Sequence, residues 1–228
     1  MDIKALASKL GMLGEKPVIL DIQTVLSRTS EGCLLYRLED NNKVIKSSLY
    51  NSIKPYDNLK LAIVESGNLF GLIRYNTDEI IKPIYKDISI YDELIVLSDK
   101  SIVGLLDKNL NQLVPMIYRN VVCIYKTDDG LYYATLTGRE VNQLANYVIN
   151  KGKAYRTKST IRPRRDLCTN DCISGWELET EKAAYFNIRK NTLEFVSDFI
   201  VQPDGTVFAR DFDNIKHNIG KQATKLKW

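Results

Sequence analysis

The chain has 228 residues, of which 44% are hydrophobic and 26% are charged, a composition typical of a globular protein with a substantial buried core. This composition excludes a wholly disordered chain, and four cysteines are too few for a disulfide scaffold. No apolar stretch approaches the roughly 18 residues that cross a bilayer, and Asp2 and Lys4 interrupt any secretory signal. We therefore expect a soluble, cytoplasmic protein with free thiols.

The net charge of +4 is unevenly distributed along the chain. Residues 151–165, KGKAYRTKSTIRPRR, contain seven Lys or Arg and no acidic residue, so the remainder carries −3. Residues 214–228, NIKHNIGKQATKLKW, contain four more Lys and no acidic residue, which leaves −7. Positive charge is thus concentrated in one internal segment, the basic segment (residues 151–165), and in the C-terminal tail.

Residues 1–32 are predicted to form a helix followed by a strand. Apolar residues at Ile3, Leu6, Leu10 and Leu13 recur at helical spacing, and Asp2 is a candidate N-cap. Residues 16–29, KPVILDIQTVLSRT, are β-branched and partly alternating, which favours a strand.

Residues 33–150 are predicted to be tandem antiparallel hairpin repeats. The stretch GLIRYNTDEIIKPIY, residues 71–85, returns as GLLDKNLNQLVPMIY, residues 104–118, thirty-three positions later. An earlier copy is LYRLEDNNKVIKSSLYNSI, and a drifted later one is DDGLYYATLTGREVNQLANYV, which keeps Gly138, Val141 and Tyr147. Tyrosines recur at the same place in the copies and are predicted to be structural: Tyr50, Tyr85, Tyr118 and Tyr147. A Tyr-Asp pair, at Tyr56-Asp57 and Tyr91-Asp92, also repeats.

The run YDELIVLSDKSIVGLLDKNLNQLVPMIYRNV, residues 91–121, resembles the WG repeat family, and the likeness covers roughly residues 33–150. Phe70-Gly71 and Val103-Gly104 stand at the Trp-Gly step of that family, with Phe and Val in place of Trp. Thr77 and Leu110 stand where the family has a turn glycine. The resemblance implies a mainly β repeat module, either propeller-like or an open, solenoid-like sheet, and implies no reaction.

Two further regions follow the repeats. Residues 151–166 are predicted to be a basic connector, and residues 167–228 a C-terminal β-meander with a basic tail. Within the latter, residues 183–212 contain three strand-like runs separated by Lys190-Asn191 and Pro203-Asp204-Gly205. Pro-Asp-Gly favours a hairpin turn, because proline presets its own dihedral angle and glycine tolerates the left-handed conformation.

Candidate catalytic and metal-binding residues are few. His217 is the only histidine and lies in the basic tail, so no Ser-His-Asp or Cys-His arrangement is available. Cys168 and Cys172 are interpreted as free thiols, with a short-loop disulfide or a metal site shared with a partner chain as alternatives. Asp211 and Asp213 share one face of a predicted strand and are interpreted as a solvated turn, with a metal-dependent enzyme as a third hypothesis. The sequence therefore predicts no catalytic residue and no cofactor.

Our leading hypothesis is a non-enzymatic protein-interaction module that binds a protein partner through its loops and the basic segment. The alternative is a nucleic-acid-binding accessory protein that uses the basic segment and the tail. A composition rich in Asn, Ile, Lys and Tyr suits an AT-rich bacterial or phage genome. The residues predicted to contact an acidic partner or a nucleic acid are Lys151, Lys153, Tyr155, Arg156, Lys158, Arg162, Arg164, Arg165, Lys221, Lys225 and Lys227.

Overall fold

The structure is a computed structural model that describes residues 2–13, 16–127, 130–140, 143–157 and 160–223, with only the backbone of Arg165. It is mainly β: the described residues form one short α-helix and antiparallel sheets of three or four strands, as the sequence predicts. The chain divides into two compact units, Met1–Lys100 and Ser101–Trp228. Within the described ranges, no helix has the length and apolar character needed to span a membrane.

The predicted N-terminal helix is confirmed as α1 (Ile3–Met12). Asp2 is its N-cap, because the Asp2 side chain accepts a hydrogen bond of 2.7 Å from the backbone N–H of Ala5. Such a cap stabilises a helix by about 1 kcal/mol. Leu6 and Leu10 form the buried stripe of the helix and lie in one cluster with Val25 of the neighbouring sheet.

The first sheet consists, in chain order, of β1 (Val18–Ile19), β2 (Thr24–Arg28), β3 (Cys33–Leu38) and β4 (Val44–Lys46). The single strand predicted over residues 16–29 is therefore two strands. Asp21 lies between them and accepts a hydrogen bond of 2.9 Å from the backbone N–H of Gln23. This local turn reverses the chain, so that Ile19 pairs with Val25.

The second sheet also follows chain order: β5 (Ser52–Tyr56), β6 (Leu61–Ser66), β7 (Leu69–Arg74) and β8 (Glu79–Tyr85). The first unit ends with the hairpin β9 (Asp87–Tyr91) and β10 (Leu94–Asp99). Its main core joins the first two sheets through side chains such as Leu26, Leu35, Val64 and Ile73, all of them fully buried.

The second unit begins with the hairpin β11 (Ile102–Asp107) and β12 (Gln112–Tyr118). A four-stranded sheet follows, with β13 (Asn120–Lys126), β14 (Tyr132–Thr137), β15 (Leu144–Asn150) and β16 (Lys153–Arg156). The next contains β17 (Ile161–Pro163), β18 (Cys172–Glu177), β19 (Ala183–Asn187) and β20 (Thr192–Phe195). The last sheet has three strands, β21 (Asp198–Val201), β22 (Thr206–Arg210) and β23 (Lys216–Lys221).

The repeat predicted from residues 71–85 and 104–118 is confirmed in the strand pairing. Both hairpins, β7–β8 and β11–β12, are interrupted by register shifts at the same two places. Phe70 pairs with Tyr85 as Val103 pairs with Tyr118. In the same way, Leu72 pairs with Ile81 as Leu105 pairs with Val114, and Ile73 pairs with Glu79 as Leu106 pairs with Gln112. The likeness between the two stretches is therefore a likeness of backbone irregularities as well as of buried side chains.

The register predicted for the fourth copy, which aligned Tyr147 with Tyr50, Tyr85 and Tyr118, is wrong. Tyr85 and Tyr118 lie on β8 and β12, which each close a hairpin, and Tyr50 forms an isolated bridge with Cys33. Tyr147 instead lies on β15, an inner strand that pairs with both β14 and β16. Val141 of that copy lies outside the described residues.

The C-terminal region differs from the single meander predicted for it. Strands β19 and β20 complete the sheet that begins with β17, whereas β21, β22 and β23 form a separate sheet. The Pro-Asp-Gly hairpin is confirmed between β21 and β22, with Gly205 at φ +82°. The predicted connector, residues 151–166, contains β16 and β17, and residues 216–221 of the predicted tail form β23, because these residues pair with neighbouring strands.

Candidate binding cleft and basic segment

The predicted basic residues at the start of the basic segment lie on or beside the edge strand β16. Lys153, Tyr155 and Arg156 belong to this strand, which among the described residues pairs with β15 alone, and Lys151 lies in the preceding turn. Tyr155 is exposed. Charged side chains on an edge strand also prevent pairing with another chain, so this placement has a structural explanation.

The other predicted basic residues lie elsewhere in the second unit, and two of them have acidic partners. Arg162 lies on β17 opposite the half-exposed Trp176. Arg164 makes an ion pair of 2.5 Å with Asp166, and Lys221 lies 3.8 Å from Asp204. Lys158, Lys225, Lys227 and the side chain of Arg165 lie outside the described residues. The basic segment is thus divided between two sheets.

The candidate carboxylates form a turn. Asp211 accepts hydrogen bonds from the backbone N–H groups of Asp213 (2.9 Å) and Ile215 (2.8 Å), which joins β22 to β23. Its other oxygen lies 2.8 Å from Nε2 of His217, a half-exposed side chain on β23. The hydrogen bond with His217 is the main cause that holds the pKa of Asp211 below its usual range. The interpretation of Asp211 and Asp213 as a turn agrees with this geometry.

The four cysteines are free and buried. The Cys168 thiol donates to the carbonyl oxygen of Arg164 at 3.2 Å, and burial raises the pKa of Cys168 to about 12 and that of Cys172 to about 11. At neutral pH both are therefore thiols rather than thiolates, which lowers their reactivity toward electrophiles and metals. Within the described part of the chain, no group of three or more potential metal-ligating side chains comes together.

A cleft of about 380 Å³ in the first unit is the site that sequence reasoning missed. It lies between β5 and β9, with contributions from β6 and β7. Its polar lining is Ser52, Lys54, Asp87 and Ser89, its aromatic lining is Tyr56, Phe70 and Tyr91, and its aliphatic lining is Ile63, Ile88 and Ile90. Its volume falls within the range of about 300–1,000 Å³ that is common for ligand sites.

Strand alternation determines which side chains of β5 reach the cleft. Ser52, Lys54 and Tyr56 line it, whereas the intervening Ile53 is buried in the core of the first unit. The stretch SIKPY thus separates a core face from a cleft face. On β9, the stretch DISIY carries Asp87, Ser89 and Tyr91 at the equivalent alternate positions. The repeated Tyr-Asp pair was the available sequence signal, because it aligns these two strands.

Hydrogen bonds and ring contacts orient several of the polar groups. The Lys54 ammonium lies 5.4 Å from the centroid of the Tyr56 ring. Ser89 donates a hydrogen bond of 3.0 Å to Asp87, and Ser52 donates one of 2.7 Å to Glu65. In the described part of the chain, neither Lys54 nor Asp87 forms an ion pair. The cleft therefore offers one positive and one negative group beside aromatic surfaces.

Comparisons with known proteins give no family. No protein-family model matches the chain, and no curated protein matches its sequence. Among solved structures, the chain is similar to Kluyveromyces lactis Hsv2, with 13% identity, coverage of 83% of this chain and 68% of that chain, and a TM-score of 0.34. It is also similar to the WD40 β-propeller domain of Doa1, with 10% identity, coverage of 93% and 80%, and a TM-score of 0.31.

A third similar structure is the dihydro-heme d1 dehydrogenase NirN in complex with DHE, with 12% identity and a TM-score of 0.35. The chain spans about half of that protein, with 84% of this chain covering 52% of it. Likenesses at these identities and TM-scores carry no argument about activity.

Proposed function

We propose that the chain is a non-enzymatic protein-interaction module built on WG-like β repeats, and that it binds a protein partner through the cleft between β5 and β9. The observation that carries this proposal is the lining of the cleft, where three aromatic side chains adjoin a separate ammonium and carboxylate. Partly exposed aromatic side chains surrounded by polar groups are typical of the anchor positions of protein interfaces.

The chemistry of the lining favours binding over catalysis. Its aliphatic hydroxyls belong to Ser52 and Ser89, which donate to Glu65 and Asp87. Activation of a serine requires a base that accepts the hydroxyl proton and is held by a third group, and the described lining of the cleft contains no histidine to act as that base. The two serines therefore serve as hydrogen-bonding groups for a ligand.

The proposal is tested by site-specific photo-crosslinking. A benzophenone amino acid is placed at Ser89 in the cleft or, as a control in the same unit, at Glu31, which is exposed in the β2–β3 turn. We expect a crosslinked protein at Ser89 that is missing at Glu31 and is lost when Lys54→Glu is added. Equal crosslinking at both positions, or none at Ser89, would overturn the proposal.

The predicted role of the basic segment in partner binding stays a prediction. Its cations on β16 and β17 lie in the second unit, so the Ser89 experiment, which probes the first unit, does not depend on them. Replacing Lys153 and Arg156 by Gln in the protein that carries the benzophenone amino acid at Ser89 determines whether the two residues contribute to capture of the same partner.

A further inference from the structure

We propose that the cleft recognises an extended peptide in which a basic, an acidic and an aromatic side chain are separated by single spacer residues, in either chain direction. This inference rests on the proposed function of the cleft as a protein-binding site. It specifies the chemical class of the bound segment from the order of groups along β5 and β9.

The first step is the spacing of the cleft side chains. Ser52, Lys54 and Tyr56 share one face of β5, so neighbours among them are about 6.6 Å apart along the strand. An extended peptide has the same two-residue period, so its alternate side chains match these positions one for one. A helical ligand, which rises about 1.5 Å per residue, does not keep this match over the length of the strand.

The second step is the alignment of the two strands. β5 and β9 each begin a repeat, and the pairs Tyr56-Asp57 and Tyr91-Asp92 set an offset of thirty-five positions. In the alignment of the two repeats, the equivalent positions are Ser52 with Asp87, Lys54 with Ser89, and Tyr56 with Tyr91. We infer from this equivalence that the cleft has a carboxylate level, an ammonium level and a two-tyrosine level, in that order.

The third step is charge complementarity. A basic ligand side chain is favoured at the Asp87 level, and an acidic one two residues away at the Lys54 level. Neither protein group forms an ion pair with another described residue, so both are available to an oppositely charged ligand side chain. The ring contact with Tyr56 holds the Lys54 ammonium beside the cleft.

The fourth step is the aromatic end of the cleft. Tyr56, Tyr91 and Phe70 are each partly buried and line the same space. An aromatic ligand side chain covers these rings and gains offset or edge-to-face contacts with them. The distance from the carboxylate level to the tyrosine level is four strand residues, about 13 Å, which requires a five-residue extended segment.

The same groups disfavour a nucleotide or another phosphorylated ligand. A phosphate requires several donors around it, whereas this lining provides one ammonium beside the Asp87 carboxylate, and the hydroxyls of Ser52 and Ser89 already donate to Glu65 and Asp87. The carboxylate repels a phosphate anywhere near the Ser52 end, and it attracts a basic side chain there.

The inference is tested by fluorescence anisotropy with synthetic peptides, acetylated and amidated at their ends. The probes are Lys-Thr-Glu-Thr-Phe and its reverse order, Phe-Thr-Glu-Thr-Lys. The matched controls exchange the charges, as Glu-Thr-Lys-Thr-Phe and Phe-Thr-Lys-Thr-Glu. We expect at least one probe to bind about tenfold more tightly than its control, with the preference weakened at high salt.

A reciprocal protein variant is the decisive control. Lys54→Glu combined with Asp87→Lys keeps one positive and one negative group in the cleft but exchanges their positions, so we expect it to prefer the control peptides by a similar factor. Lys46→Glu on the exposed strand β4 should leave the preference unchanged. Circular dichroism and thermal melting verify that each variant is folded.

Equal affinity for probe and control peptides, or a preference that the reciprocal variant does not reverse, would overturn the peptide class. The proposed function would survive that result if the Ser89 crosslink persists, because the partner would then bind the cleft through another chemistry. A missing crosslink together with selective peptide binding would instead overturn the protein partner while supporting the peptide class.

Discussion

Tyr118 and Tyr147 place their phenol oxygens 2.6 Å apart within the second unit, and both side chains are buried. Their rings meet edge to face, with centroids 6.0 Å apart and planes at 80°. Each hydroxyl therefore satisfies the other at a site where solvent has little access. This pair connects β12, the end of one repeat, with β15, an inner strand of the next sheet.

The first prediction concerns this hydrogen bond. Tyr118→Phe should lower the free energy of unfolding by about 1–2 kcal/mol, because it leaves the Tyr147 hydroxyl buried without its partner. The double variant, with Tyr147→Phe as well, should cost less than the sum of the single changes. Urea denaturation of the four proteins measures the coupling. A coupling energy near zero would contradict the prediction.

A second prediction concerns the glycine shared by the two repeats. A Cβ atom at Gly71 would contact the backbone oxygen of Ile81 and lie 2.8 Å from the backbone nitrogen of Pro83. Gly71→Ala should therefore lower the free energy of unfolding by about 3 kcal/mol, since backbone atoms of the neighbouring strand must move. At Gly104 the nearest atom is Cγ of Met116, at 2.6 Å, which can move, and the nearest backbone atom, the oxygen of Val114, is at 2.9 Å, so Gly104→Ala should cost less.

The matched control is Gly11 in α1, where a Cβ would meet its nearest neighbour, an atom of Pro17, only at 3.9 Å. Gly11→Ala should increase the free energy of unfolding by about 0.5–1 kcal/mol, because alanine is the better helix former. Denaturant unfolding of the three variants gives the order. A Gly71→Ala variant as stable as the wild type would contradict the close contact between Gly71 on β7 and the backbone of β8.

Thr77 and Leu110 carry the third prediction. They have φ angles of +73° and +70°, and each donates a hydrogen bond to a residue three positions earlier, Arg74 and Asp107. The left-handed conformation costs a non-glycine residue about 1–2 kcal/mol. A glycine at this position removes that cost, but the greater flexibility of glycine in the unfolded chain offsets part of the gain. Thr77→Gly and Leu110→Gly should each stabilise the protein by about 0.5–1 kcal/mol in chemical denaturation.

Thr192 is the control for these changes. It begins β20 with an extended backbone and an exposed side chain, so Thr192→Gly removes no strain and should destabilise the protein. A loss of stability in Thr77→Gly comparable to that of Thr192→Gly would contradict the assignment of a strained turn at Thr77.

These four positions show how far the sequence predicts the structure. Gly71 and Gly104 were visible as a repeated glycine, and the turns at Thr77 and Leu110 were located by likeness to a repeat that has glycine there. The reason for the first glycine was not visible, because it depends on the register shift between β7 and β8, which no local pattern encodes.

The C-terminal half was predicted less well, for a physical reason. Short strands such as Ile161–Pro163 and Thr192–Phe195 have too few residues to show a period, and their pairing partners are set by tertiary contacts. The basic charge around Ile161–Pro163 suggested a connector. The cleft was missed for a related reason: Lys54 and Asp87 are far apart in the sequence, and each alone resembles an ordinary surface charge.

The fourth prediction concerns acid stability and Glu177. This carboxylate is buried and accepts hydrogen bonds from the backbone N–H and hydroxyl of Thr180, at 2.8 and 2.7 Å, and from the Thr160 hydroxyl. Burial raises the pKa of Glu177, but the hydrogen bonds outweigh it and hold the pKa below the ordinary 4.5. A lowered folded-state pKa stabilises the protein above pH 4.5, and this contribution is lost as the pH falls through the folded-state value.

Glu177→Gln should therefore lower the free energy of unfolding by about 1–2 kcal/mol at pH 7 and by less at pH 3, where the wild type has also lost the charge. Urea midpoints between pH 7 and pH 3 measure the difference. Glu179→Gln, at an exposed neighbouring position, is the control and should leave the pH profile unchanged. Parallel profiles for wild type and Glu177→Gln would show that the hydrogen-bonded carboxylate does not contribute.

The final prediction separates the nucleic-acid hypothesis from the protein-interaction proposal. Seven phosphate contacts by residues 151–165 would give a log–log salt slope of about −6 on duplex DNA. In the structure, Arg164 is paired with Asp166, and Lys153 and Arg162 lie on different sheets. We therefore expect a slope no steeper than about −3 in anisotropy titrations with a labelled duplex between 50 and 200 mM salt. A slope near −6 that Lys153→Gln and Arg162→Gln each reduce by about 0.9, while Lys46→Gln does not, would favour the nucleic-acid hypothesis instead.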